Sequence, residues 1–161
     1  MASLDSISFL LFSLHDEFMA FDVKAVIEVI TYKELMRIPG KTSLIKGVIN
    51  YRGTYISVID TREKFNLPSY QELKKDVIVI IELSSLENKK IGILADKVLG
   101  IHTTQERNIK ELSGISTGQN SFLKGIIDSS RGPCYLIDPQ ELFSSEEIIL
   151  LNEITINKEG V

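Results

Sequence analysis

The residues that could do chemistry are few, and their spacing does not favour it. His15 and His102 are the two histidines, and neither has a second ligand type at metal-site spacing. A metal site needs three or four converging ligands, so none is expected. Cys134 is the single cysteine. As a nucleophile it would need a base and an oxyanion site, and no motif marks either. It reads instead as a small buried hydrophobe at the start of a strand. The chain lacks G-x-S-x-G, a P-loop and G-x-G-x-x-G. Two carboxylates stand in the pattern D-x-x-E, Asp60 with Glu63 and Asp138 with Glu141. That is capping-box spacing, in which the Asp accepts from the third helical amide and the Glu reaches back. Helix capping is therefore expected of Asp60 and Asp138, with no catalytic residue and no cofactor. The arginines are more informative. Arg52 falls between two apolar runs, at a hairpin tip. Arg62 falls in the first turn of the short helix that follows, where a cation opposes the helix dipole, so a partner such as Asp60, or one from outside the chain, is expected to offset it.

The elements that must position these residues occur twice. Residues 45–65 read IKGVINYRGTYISVIDTREKF and residues 123–143 read LKGIIDSSRGPCYLIDPQELF. Gly47 recurs as Gly125, Asp60 as Asp138 and Phe65 as Phe143, all at an offset of 78 residues. The Arg-Gly pair slips by one, Arg52-Gly53 becoming Arg131-Gly132, as if a turn gained a residue and the next strand lost one. Each copy reads as a hairpin, because Gly accepts the positive φ that a tight turn needs, followed by a short helix. More loosely, IGILADKVLGI echoes MAFDVKAVIEV. Short apolar runs at Ile7–Leu14, Phe18–Phe21, Val26–Tyr32, Asp76–Leu83 and Lys90–Ala95 complete about ten strands. A C-terminal helix is expected over 144–153, begun by Ser144 to Glu147, with a frayed tail over 154–161. Residues 69–75 are the most polar connector, and 104–121 reads as a long polar loop carrying the apolar points Leu112 and Ile115. The reading is a mainly β chain of two similar halves, 18–75 and 76–143, with strand 7–14 free to join either. Two small halves leave a seam, and seams are where ligands and partners bind.

Composition narrows the function classes. The chain has 161 residues, 43% apolar and 25% charged, and a net charge of −4. Those proportions are globular. Scattered Lys and Arg under a negative net charge, with no Trp, argue against a nucleic-acid groove of basic and stacking residues. No run approaches the roughly 20 apolar residues of a membrane span, so no direct membrane insertion is expected. The N-terminal apolar run has no basic region ahead of it, which is not a secretory signal, and a lone cysteine fits a reducing cytoplasm.

The stretch RIPGKTSLIKGVINYRGTYISVIDTREKF resembles the signature of the CheW family, the adaptor proteins of bacterial chemotaxis. Arg37-Ile38-Pro39, Gly47, Asn50, Arg52-Gly53, Val58, Asp60, Arg62 and Phe65 match it. FDVKAVIEVI is similar to the family's entry segment and SSEEIILLNE to its C-terminal helix, so the resemblance spans nearly the whole chain. Ser57 stands where the family has Pro, and Thr61 where it has Leu. The first is expected to loosen the strand after the hairpin, and the second to remove an apolar contact of the short helix.

The resemblance implies a single domain of two SH3-like five-stranded β-barrels side by side. It also implies a non-enzymatic scaffold, cytoplasmic and recruited to membrane-associated arrays. Its partners would be the regulatory domain of the histidine kinase CheA and the cytoplasmic tips of chemoreceptors, with self-association or ring formation in the array. Val26, Ile27, Glu28, Arg52 and Val98 would contact the receptor. Leu112 and Ile115 would face the kinase. Gly47, Gly53, Asp60, Arg62 and Asp138 would serve the structural motif. An adaptor serving another chemosensory system fits the same residues, and no attached receiver domain is expected.

Overall fold

The structure is a computed structural model that describes residues 5–39, 44–68, 76–112 and 121–159, the last six as helix backbone. Ten strands form among these residues. They are β1 (Ser6–Leu14), β2 (Glu17–Asp22), β3 (Val26–Thr31), β4 (Ile45–Tyr51), β5 (Thr54–Ile59), β6 (Val77–Leu83), β7 (Lys89–Ala95), β8 (Lys97–Gln105), β9 (Leu123–Ser129) and β10 (Gly132–Ile137), followed by helix α1 (Ser145–Glu159). They make two five-stranded sheets, in the orders β8-β1-β2-β10-β9 and β3-β6-β7-β5-β4.

The repeat is real, but the sheets do not divide where it does. Strands β1–β5 correspond in order to β6–β10, which puts the sequence boundary in the polar connector. In space each sheet takes the first hairpin of one repeat and the last three strands of the other. β3 pairs with β6 and β8 with β1, both antiparallel, while β5 pairs with β7 and β10 with β2 in parallel. Halves drawn at 18–75 and 76–143 are therefore not the spatial units. The cause lies in two short links. The 3-10 turn Val23–Ala25, capped by Asp22 Oδ1 accepting from the Lys24 amide (2.9 Å), carries the chain from one sheet to the other. Asp96, alone between β7 and β8, carries it back.

Alternation along the strands builds three cores. Leu10, Phe12 and Leu14 of β1 join Val79, Ile81 and Leu83 of β6 in a central core between the sheets, which α1 covers with Leu151. The opposite faces fill a smaller core inside each sheet, Ile78, Ile80 and Val58 in one and Phe9, Leu11 and Cys134 in the other. Burial on both faces is why β1 and β6 read as continuous apolar runs rather than alternating ones.

Both hairpin turns hold two residues, since Tyr51 faces Thr54 and Ser129 faces Gly132. No turn gained a residue. The Arg-Gly pair has shifted within a loop of constant length. Both copies also bulge at the same place, between Ile45 and Gly47 and between Leu123 and Gly125. Gly47 and Gly125 are needed for close approach. A Cβ on Gly47 would lie 2.7 Å from both Leu35 Cβ and the Met36 carbonyl oxygen, and one on Gly125 would lie 2.6 Å from the Lys110 carbonyl oxygen.

Other expectations change as well. The helices after the hairpins are single 3-10 turns, Glu63–Phe65 and Pro139–Glu141, and neither carries the capping box expected of it. Asp60 and Asp138 each accept from the amide two residues ahead, not three. Glu141 turns away to pair with Lys124. The box forms instead at Ser144, whose Oγ accepts from the Glu147 amide (3.2 Å) while Glu147 Oε1 accepts from the Ser144 amide (2.8 Å). The helix it starts runs to Glu159, past the expected end at 153. Part of the expected loop over 104–121 is ordered, because β8 extends to Gln105 and Lys110 bridges to Ile126. Ser57 pairs with Val48 in an unbroken β5, so the strand is not loosened. Among the described residues the buried hydroxyls of Ser57 and Thr61 have no hydrogen-bond partner. No helix of the described residues is long and apolar enough to cross a membrane.

Candidate functional site

The edge strands of the sheet β3-β6-β7-β5-β4, β3 and β4, share no backbone ladder. Side chains span the gap. Glu28 Oε1 accepts from the Tyr51 hydroxyl (2.5 Å) and from Arg52 Nη2 (3.0 Å), and Lys33 Nζ donates to the Asn50 carbonyl (3.1 Å). The five-stranded sheet is thus closed into an SH3-like subdomain by polar side chains rather than by a full hydrogen-bonded barrel.

Local backbone aims these groups. Arg52 (φ 51°) and Gly53 (φ 88°) both sit in the left-handed region, the geometry of a two-residue hairpin turn whose twist matches its strands. Asn50 Oδ1 accepts from the Gly53 amide (2.9 Å) and fixes the turn. On β3, Val26 faces Ile81 and Glu28 faces Ile80, so Ile27 is a bulged residue. A bulge re-aims the side chains beside it, and Glu28 reaches the turn of β4. Arg52 is largely open to solvent, its side chain 74% exposed, and its guanidinium lies 5.5 Å from the Tyr51 ring centroid. The hydrogen bond from Tyr51, then that from Arg52, holds the Glu28 carboxyl below its usual range. The same bond to Glu28 raises the Tyr51 hydroxyl. Arg52 is raised by Glu28 first. The trio is a fixed, charged rim with a carboxylate and a guanidinium side by side.

The structure brings together three of the five residues assigned by resemblance to receptor contact: Ile27, 44% exposed, beside Glu28, with Arg52 across the gap. Val26 and Val98 occupy equivalent places in the two repeats, and each packs half-buried against the central core. Leu112 is half-buried, and Ile115 lies outside the described residues. Tyr51 was missed. Its only sequence signal is a tyrosine directly before the Arg-Gly turn.

A second constellation is buried. Arg62, 1% exposed, is ion-paired to Asp60 (3.2 Å), Asp76 (3.0 Å) and Asp96. The expected partner Asp60 is present, and the two further carboxylates, with the burial of the arginine, come from the chain turning inward after β5. Asp96 ties this cluster to the other sheet, its amide donating to the Ser13 carbonyl (2.8 Å) and its Oδ2 accepting from the His15 amide (2.9 Å). Burial pushes the Asp76 carboxyl up to about 6 against the pull of Arg62. Because that lies above the unfolded value of about 3.9, the folded state holds the proton more tightly. The contribution of Asp76 to stability is therefore greatest below about pH 4, falls as pH rises toward 6 and is level above it. Asp76→Asn is expected to flatten that decline in a series of melting curves from pH 4 to 7. An unchanged slope would remove Asp76 as its source.

Comparison with known proteins places this architecture. A family model described as CheW-like domain matches residues 8–147. The chemotaxis protein CheW of Klebsiella aerogenes is 28% identical over 147 residues, covering 91% of this chain and 87% of that protein. That of Thermotoga maritima is 26% identical over 159 residues, covering 99% and 96%. The crystal structure of the scaffolding protein TtCheW from Thermoanaerobacter tengcongensis superposes with a TM-score of 0.76 at 27% identity, covering 88% of this chain and 94% of that one.

Proposed function

The chain belongs to the CheW-like domain family, and on that premise we propose that it is a non-enzymatic adaptor of a chemosensory array. It holds the regulatory domain of the histidine kinase CheA beside the cytoplasmic tips of chemoreceptors, so that receptor state controls autophosphorylation. The observation that carries the reading furthest is the Glu28–Tyr51–Arg52 rim. It occurs in one repeat only, since the strand register and offset put Gly100, Ser129 and Ser130 at the equivalent places. Pure structural closure would use both copies alike, so the charged version supports a contact surface.

In this reading a receptor helix lays its apolar stripe beside Ile27 and the half-buried Val26 and Val98, a helix-in-groove mode. Glu28 and Arg52 set its register, since rim charges tune specificity and on-rate more than affinity. Leu112 and Ile115 are the residues proposed to face the kinase, in a closed ring or array of alternating partners.

Purified kinase and receptor fragments, assayed with and without this chain, test the reading. A receptor-dependent rise in autophosphorylation is expected. Neither activation nor binding, with partners that work alongside their own adaptor, would overturn it. Arg52→Asp is expected to weaken receptor binding by about tenfold, or roughly 1.4 kcal/mol, a contributing contact short of a hot spot. Its melting temperature should hold, because an exposed ion pair adds little stability. Loss of folding in that variant would make Arg52 structural.

A further inference from the structure

The two repeats build the same corner twice and fill it once. After β5, the Asp60 amide donates to the Leu44 carbonyl (3.2 Å), and Asp60 Oδ1 accepts from the Arg62 amide (3.0 Å). After β10, the Asp138 amide donates to the Phe122 carbonyl (2.8 Å), and Asp138 Oδ1 accepts from the Gln140 amide (2.9 Å). Strand register extends the match. Val26 faces Ile81 as Val98 faces Phe12, and Ile81 faces Ile91 as Phe12 faces Met19. Counting back along these strands sets Asp76 against Ile7 and Asp96 against Lys24. The second corner thus keeps Asp138, has Gln140 for the arginine, and has lost two carboxylates.

Gln140 does not enter its corner. Its Oε1 accepts from the Ser84 amide (2.8 Å) and hydroxyl (2.9 Å), and its Nε2 donates to the Glu82 carbonyl (2.8 Å). Beside Asp138 there is a pocket of about 270 Å³, walled by Ile7, Ala25, Ile109 and Leu136 and carrying Asp22 and Asp138. Small-molecule sites run to roughly 300–1,000 Å³, so this one suits a single side chain.

We propose that the pocket binds a guanidinium head on an apolar stem, the chemistry of an arginine side chain, presented by a protein partner. Asp138 stands where Asp60 stands for Arg62, and Asp22 adds a second carboxylate. Each has one oxygen on the amide two residues ahead, and among the described residues the other takes no hydrogen bond. The cations nearby do not fill the pocket, since Lys124, one of its lining residues, pairs with Glu141 and Lys24 is exposed. Arginine is the fit because guanidinium is weakly hydrated and forks onto carboxylates. Ile7 in place of Asp76 explains how the pocket can stand open. A third carboxylate at position 7, without a cation, would be costly, whereas the two half-exposed ones are not.

The test has two arms, of which only the second rests on the adaptor reading. In the first, the 15N-labelled chain is titrated with butylguanidinium. Saturable millimolar shifts are expected at the amides of Ile7, Asp22 and Ile109, weaker ones with butylammonium and none with butanol, and Asp138→Asn should weaken binding about tenfold. No saturable shift at tens of millimolar, or equal response to butanol, overturns the site. In the second arm Ala25→Trp fills the pocket, and the affinities of the kinase regulatory domain and the receptor tip are measured. A tenfold loss for one of them, repeated in Asp138→Asn at unchanged melting temperature, supports a partner's arginine. Both affinities unchanged overturns the protein source and leaves a free guanidine as ligand. If neither protein binds the unaltered chain, the adaptor reading fails, and the titration still decides the site.

Discussion

Arg62→Met is expected to lower the melting temperature by about 6–20 °C. Breaking a buried pair costs roughly 3–5 kcal/mol because it strands the other charge, and in a domain of this size each kcal/mol moves the midpoint by about 2–4 °C. Here one guanidinium serves Asp60, Asp76 and Asp96, so its removal strands three carboxylates. Acid should restore the variant. Burial already raises the Asp76 carboxyl and Arg62 pulls it down, so without Arg62 it rises further, stability falls as pH rises through it, and melting at pH 5 should exceed melting at pH 7. Adding Asp60→Asn and Asp76→Asn should return most of the loss at neutral pH. A variant that melts within about 3 °C of the unaltered chain, under 1.5 kcal/mol by the same conversion, would show that the cluster is not needed for stability.

Gly47→Val should cost about 2–6 kcal/mol, combining overpacking of about 1–3 with two hydrogen bonds at about 0.5–1.5 each. The atoms a Cβ would meet at 2.7 Å are Leu35 Cβ and the Met36 carbonyl, neither the loose end of a flexible side chain. Relief requires the Leu35–Met36 segment to lift from β4. That breaks the pair from the Met36 amide to the Val48 carbonyl (2.8 Å) and back (2.9 Å). Gly125→Val should act alike through Lys110. Gly53→Ala is the contrast, since nothing lies within 4 Å of an added Cβ and only its positive φ is strained. Its cost should stay near 1 kcal/mol. Amide exchange at Met36 and Val48 reads the lifted segment directly. Retained protection in Gly47→Val would refute the mechanism.

What the sequence makes legible is what local spacing encodes. The hairpins, the Ser144 cap and the pairing of Arg62 with Asp60 all lie within a few residues of their causes, and the repeat shows as matching residues at a fixed offset. The exchange of hairpins between sheets is not legible, because β2 against β10 and β5 against β7 are distant parallel pairs with no turn to announce them. The burial of Arg62 is not legible for the same reason, since Asp76 and Asp96 lie 14 and 34 residues away. The D-x-x-E pattern misled because its geometry needs a helix. A single 3-10 turn lets Asp60 and Asp138 take the nearer amide instead. Of the contact surface, Glu28 and Arg52 were readable by resemblance, but Tyr51, which joins them, depends on how far the sheet curls.

The crossed pairing of the repeats has a consequence for how such a chain could arise. Two separate copies of one repeat could make these pairings only by trading their first hairpins, as in a swapped homodimer. The present chain has the topology of that dimer on one string, one repeat following the other. Joining the copies replaces a concentration-dependent encounter with an intramolecular one. Once that holds, the two copies no longer need to be identical. One corner can keep a permanent arginine while the other drifts toward a pocket, and one sheet closure can acquire a charged rim while the other loses it. The asymmetry between the halves is what fusion permits and what a symmetric dimer forbids.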